Sequence, residues 1–299
     1  MDWILLAASG IFLPIVSAFQ ALRLKRIFLR VGESVPFVLL FKTLLVATAT
    51  NIMAPFKLGT LFTRPFMLKK FYGTSVKKSY VTVAAEQMIE SVFEFVVFVS
   101  ALYFMSASFS NSPLSLIAAS LLSIAALSMI FFSTKTIGTA DWAMSFLRNR
   151  APARIVGFIR RKKIATREGV LSTLSTIQKK EGKINDFSTI MASSLLLMVC
   201  SAVPLYFFLL AMSINISFYQ AFFIFWASLF LGKVSGLPGG IGVKEGSMIF
   251  MLTQAGVGLA VAVEATIIFR VFSIVIVLIL GLVTSAQLGI PTIMRRKKS

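Results

Sequence analysis

Ser235-Gly236-Leu237-Pro238-Gly239-Gly240-Ile241-Gly242-Val243-Lys244-Glu245 interrupts two apolar runs, residues 216–231 before it and 247–263 after it. Proline removes a backbone donor and glycine frees the chain to turn, so helix stops here. In a bilayer a broken helix leaves N–H and C=O groups that are tolerated only against protein or a water-filled cavity. The same punctuation occurs a second time. Pro55, Gly59 and Gly73 stand 183 residues before Pro238, Gly242 and Gly256, without a gap. The flanking apolar segments map as well: 3–22 onto 188–212, 35–54 onto 216–231, and 80–104 onto 264–288. One extra apolar run, 113–132, separates the halves, and an odd extra crossing turns the second copy over. The expected fold is an all-α polytopic helical membrane protein with an inverted repeat and two re-entrant or broken helical hairpins. One hairpin covers about 35–79 and enters from the cytoplasmic side; the other covers about 216–263 and enters from outside. The chain reads as a single domain over 1–299, with repeat halves at about 3–104 and 188–288 and a linker over 105–187. Interrupted segments at matching places in two halves point to the binding site of many transporters. Pro55, Gly59, Pro238 and Gly242 are the candidate hinges.

Composition places this repeat in a membrane. Of 299 residues 57% are hydrophobic and only 14% charged, with a mean hydropathy of +0.88, yet the formal net charge is +19. A soluble chain carries about 25% charged residues. A soluble nucleic-acid binder would spread its cations over a wet fold, so no nucleic-acid partner is expected. The cations instead cluster. Twelve Lys/Arg lie between Lys135 and Asp186, and Arg295-Arg296-Lys297-Lys298 closes the chain, whereas the loops 106–112 and 213–215 carry none. The positive-inside rule puts the basic stretch and the C-terminus in the cytoplasm, and the N-terminus outside. Trp142, Phe146 and Leu147 beside Arg148 and Arg150 fit either an interfacial helix on an anionic leaflet or a solvated loop. The first apolar run, 3–22, has a kink candidate at Pro14. Arg23, Lys25, Arg26 and Arg30 follow it at once, so it reads as a retained helix and not a signal peptide.

Chemistry is bounded by what is missing. Histidine is absent and the single cysteine, Cys200, sits in an apolar run. Ser-His-Asp, Cys-His and histidine–zinc chemistry are excluded, and so is an intrachain disulfide. No metal or cofactor is expected. The charges within apolar segments are therefore the candidate site. Glu86, Glu90 and Glu94 recur every four residues, on one face of one helix. A midplane charge costs roughly 2.5–3.5 kcal/mol, and each large aliphatic or Phe side chain returns only about 0.3–0.6. Three ionised carboxylates exceed what one span returns, so this face must look into the bundle, with cations or protons as partners. The candidate cations are Lys42, Lys57, Arg64, Lys233, Lys244 and Arg270, with Glu245 and Glu264 near the last span. Glu264 and Arg270, six residues apart, point to different faces and should pair with other helices. These charges serve either as a site or as ionic locks between helices. Gly239 and Gly240 likewise admit two readings: a phosphate cradle at a helix N-terminus, or a tight turn between hairpin arms. The turn is neither a Walker loop nor a dinucleotide fingerprint, because the Gly-Lys-Ser/Thr ending and a βαβ unit are both absent.

At these residues the sequence resembles the flippase-like membrane domain of lysylphosphatidylglycerol synthases and of many stand-alone prokaryotic proteins. The specific part is Leu237 to Glu245, followed by Gly256 and Arg270. The first half matches at Asn51, Pro55, Lys57, Gly59, Arg64, Gly73 and Glu86, and the likeness covers nearly the whole chain. Gly59-Thr60 stands where the family often has Gly-Glu. Glu86-Gln87 with Glu90 stands where it often has Glu-Arg with a following Asp, and by the repeat offset Gln87 corresponds to Arg270. The chain starts at what is usually the family's second helix, and no aminoacyl-transferase domain follows, so lipid aminoacylation is not expected. The resemblance implies handling or translocation of a phospholipid or polyprenyl-linked sugar across the cytoplasmic membrane.

Three functions compete. In the leading one, Lys57, Arg64, Gly239, Gly240, Lys244 and Arg270 bind the phosphate of an anionic or polyprenyl-phosphate-linked lipid. Glu86, Glu90, Glu94 and Glu245 then act as counter-ions or carry a coupling proton. The second is a membrane transferase with Mg²⁺ held by Glu86 and Glu90. The third is an accessory subunit for enzymes of a lipid-linked glycan pathway.

Overall fold

The computed structural model describes residues 2–52, 58–109 and 184–289, and every regular element among them is helical. Four helices form the first part: α1 (Trp3–Arg30), α2 (Phe37–Asn51), α3 (Leu58–Tyr72) and α4 (Val76–Phe109). Four more follow: α5 (Ile184–Ala211), α6 (Phe218–Val234), α7 (Val243–Gln254) and α8 (Leu259–Gln287), with a short 3-10 turn, Pro238–Gly240, between α6 and α7. The order long, short, short, long therefore recurs. Segments Trp3–Arg30, Ala192–Ala211 and Leu259–Gln287 are long and apolar enough to cross a membrane. The apolar run 113–132, the 142–147 segment, most of the basic stretch, the C-terminal cations, Pro55 and Lys57 lie outside the described residues.

Local signals set these elements. Asp2 caps α1, its carboxylate accepting from the N–H of Ile4 at 2.9 Å. Gln220 accepts from the Ser217 N–H at 2.9 Å and starts α6. Gly73 and Gly256, the matched glycines, end α3 and α7 with φ of 77° and 92°, the left-handed cap that glycine adopts without a Cβ clash.

Several boundaries differ from the sequence reading. The first helix does not end at Leu22 but runs on through Arg23 to Arg30, because Leu24, Ile27 and Phe28 continue its buried face. The second arm of the first hairpin, inside 35–79, is the regular helix α3. The last helix begins at Leu259 and not Glu264, because Gly256 and Gly258 set the turn ahead of it. Arg270 is thereby moved from near the start of a span toward the middle of one.

Both expected hairpins are present as helix pairs, α2–α3 and α6–α7. A helix rises 1.5 Å per residue. The 15 residues of α2 give about 22 Å and the 12 of α7 about 18 Å, short of a hydrocarbon core of roughly 30 Å. Close backbone approach holds each pair shut. A Cβ on Gly59 would lie 2.8 Å from the Thr50 carbonyl carbon, and one on Gly240 would lie 2.9 Å from the Gly232 Cα. Asn51 closes the first hairpin, accepting from the Thr60 N–H at 2.8 Å and donating to the Thr60 hydroxyl.

Packing joins the two parts. α1 lies along α5, α2 against α8, and α4 against α6. Contacts Asp2–Ala211, Ser9–Pro204 and Arg23–Ser194 run in opposite order along α1 and α5, so these two helices are antiparallel. One apolar core gathers α5, α6, α7 and α8 with Ala101 of α4. A second gathers Ala21, Leu24 and Phe28 of α1 with Val35, Leu40 and Leu68.

Candidate functional site

The acidic face of α4 is buried, as its spacing requires: Glu86, Glu90 and Glu94 are 1%, 7% and 0% exposed. Three helices converge on Glu86. Arg23 of α1 donates from Nη2 to Oε1 at 2.9 Å, and Arg64 of α3 donates from Nη1 to Oε2 at 2.6 Å. One carboxylate thus bridges two guanidiniums. Arg23 also lies 3.8 Å from Glu90 and donates to Ser194 of α5 at 3.5 Å. Gln87 donates to Glu90 at 3.3 Å. The Nε of Arg23 and the Nε of Arg64 are buried and have no hydrogen-bond partner.

One turn further along α4, Glu94 accepts from Lys233 of α6 at 2.8 Å, and Lys233 also donates to Ser91 at 2.7 Å. This ion pair crosses from the first hairpin's neighbour to the second hairpin. Of the cations considered for the acidic face, Arg64 and Lys233 are there. Lys42 makes no ion pair among the described residues.

Arg270 belongs to a different constellation. Its Nε pairs with Glu245 at 2.7 Å and its Nη2 donates to the Gly239 carbonyl at 2.5 Å. Glu245 in turn accepts from the Gly242 N–H at 2.6 Å, capping α7. The carboxylate of Glu245 thus occupies part of the helix N-terminus that a phosphate would use. Gly236, Gly239, Gly240 and Gly242 all have φ between 61° and 85°, so turn geometry alone calls for glycine at these four places. The turn abuts the end of α2: a Cβ on Gly239 would sit 3.0 Å from the Ile52 carbonyl oxygen. The tip of the second hairpin therefore meets the end of the first hairpin's leading arm, with Arg270 fastened to it. Lys244 lies 6.0 Å from the centre of the Phe225 ring. Between Lys244, Glu245, Met248, Thr266, Phe269 and Arg270 is a cavity of about 10 Å³, room for about one water. The Thr266 hydroxyl is buried there without a partner.

Sequence reasoning missed Arg23. The apolar run stops at Leu22, which leaves Arg23 among the flanking cations. The signal was the continuing helical spacing of Ala21, Leu24, Ile27 and Phe28, which carries the helix past it. As for a metal, two guanidiniums already neutralise Glu86, which opposes a divalent cation at that carboxylate.

Short helical hairpins, membrane-length helices and buried ion pairs define a polytopic helical membrane protein with an internal ionic site. Residues 1–281 match the family described as Lysylphosphatidylglycerol synthase TM region, and the chain belongs to it. That family relates the chain to lipid handling. Among curated proteins none matches the chain.

Proposed function

We propose that the protein translocates a lipid with an anionic headgroup across the cytoplasmic membrane. The observation that carries this reading is the meeting of the α6–α7 tip with the end of α2, beside Arg270 and next to the buried ion pairs of α4. Interrupted helices that meet inside a bundle supply the free backbone groups and the polar lining that a headgroup needs at membrane depth. Arg64, Lys244, Arg270 and the Gly239–Gly240 turn, with Lys57, serve the phosphate, and Glu86, Glu90, Glu94 and Glu245 balance the cations while it is absent. The antiparallel run of α1 and α5, equivalent by the repeat, supports insertion of the two halves in opposite senses, with the N-terminus outside and the C-terminus inside. The partners are anionic phospholipids or polyprenyl-phosphate-linked sugars, and enzymes that make or use such lipid-linked glycans.

Reconstitution in liposomes tests it. A fluorescent phosphatidylglycerol is placed in both leaflets and an impermeant reductant bleaches the outer one. Wild type is expected to expose the inner pool, and Arg270→Ala to slow that exposure at least about tenfold, the loss of one charge-assisted pair. No movement by wild type, or an Arg270→Ala rate equal to wild type, overturns the reading.

A further inference from the structure

We propose that Arg23 and Arg64 together form a phosphate-binding site inside the bundle, with Arg23 a ligand-binding residue in its own right. Guanidinium is the side chain whose fork of N–H groups matches phosphate oxygens. Here neither fork is fully used, although Arg23 also reaches Ser194. Both arginines give an Nη to the same carboxylate, Glu86, and keep a buried Nε–H with no acceptor. Both side chains are 3% exposed, so water outside the protein does not serve these donors. A buried charged donor left without an acceptor is costly, and two on guanidiniums that share one carboxylate mark a place for a further anion. A purely structural ion lock would need only the Nη bonds that Glu86 already receives.

Phosphate suits these donors by chemistry. It offers several acceptor oxygens, enough for an Nε–H from each of two guanidiniums. Glu86 then acts as a spacer that holds the two forks in register. The three groups ride on different elements, α1, α3 and α4. Arg64 is carried by the α2–α3 hairpin, so displacement of that hairpin is what opens the buried site to a ligand. Only the source of the phosphate, a lipid headgroup, rests on the proposed function; the donor set stands on its own.

Arg→Lys substitution isolates the claim, because lysine keeps the cation for Glu86 but has no Nε–H edge. The full chain is purified in a maltoside detergent and titrated with short-chain phosphatidylglycerol, or with inorganic phosphate, by calorimetry and by thermal shift. Wild type is expected to bind and to melt higher with the ligand. Arg23→Lys and Arg64→Lys are each expected to remain folded and bind at least about tenfold more weakly. Lys78→Gln, at an exposed pair with Glu33, is expected to bind as wild type, which separates the site from general attraction to a basic chain. The phosphatidylglycerol arm against the free-phosphate arm tells which source the site prefers. Equal binding by wild type and both lysine variants, or no binding of either probe, overturns the proposal. Binding that depends on Arg23 and Arg64 in a chain that moves no lipid in liposomes sustains this site and overturns translocation alone.

Discussion

Glu86 accepts from two guanidiniums through separate oxygens, so its removal strands two buried charges at once. Glutamine at this place keeps one acceptor for one arginine and turns an amide NH₂ toward the other. Breaking a buried pair by removing one partner costs about 3–5 kcal/mol. Glu86→Gln is expected to lose stability of that order in detergent, read from the midpoint of thermal or denaturant unfolding. Lys78→Gln, which breaks an exposed pair, is expected to cost less than about 1 kcal/mol. Equal effects of the two would show that the buried cluster adds nothing to the fold. At this scale the three glutamates were legible because period four in an apolar helix has one physical meaning. Their partners were not. Arg64, Lys233 and Arg23 come from three other helices, and nothing in sequence spacing says which cation reaches which acid.

The hairpins are the elements on which function is proposed to turn, and their tightness depends on missing side chains. A Cβ at Gly240 meets the backbone of Gly232, where no flexible group can yield, and the backbone is at φ 69°. Gly240→Ala is expected to destabilise by about 1–3 kcal/mol through overpacking. Gly59→Ala, which meets Thr50 and Asn51 backbone, belongs in the same range. Gly246 lies inside α7 with open space around its would-be Cβ. Gly246→Ala is expected to stabilise by about 0.4–1 kcal/mol, because it lowers the entropy of the unfolded chain. Thermal unfolding of the three variants side by side checks the order. Proline and glycine spacing announced both hairpins but not the regular helix α3 that forms the second arm of the first. Lys69 and Lys70 made its end look like loop, although Met67 and Leu68 between them and Arg64 are buried.

For the molecule as a whole, opposed insertion of the halves gives the sharpest outcome. In a Cys200→Ser background, Ser34→Cys sits in the loop between α1 and α2, and Asn215→Cys in the loop between α5 and α6; both positions are exposed. With inverted halves, an impermeant thiol reagent added to intact cells is expected to label Asn215→Cys at once and Ser34→Cys only after permeabilisation. Labelling of both from one side would overturn the inversion. The helical class, the membrane setting, the two interruptions and the buried acidic face are all legible in the amino-acid sequence. Each follows from local rules: apolar length, backbone satisfaction, helical period and the cost of charge in hydrocarbon. Helix packing, in contrast, turned Arg23 inward and fastened Arg270 to the glycine turn, which leaves the α4 acids to other cations. It also decided that the α6–α7 turn rests against the end of α2. Those are pairings between helices far apart in the chain, selected by which buried charges come within reach of one another when the helices pack, and no period or spacing encodes that.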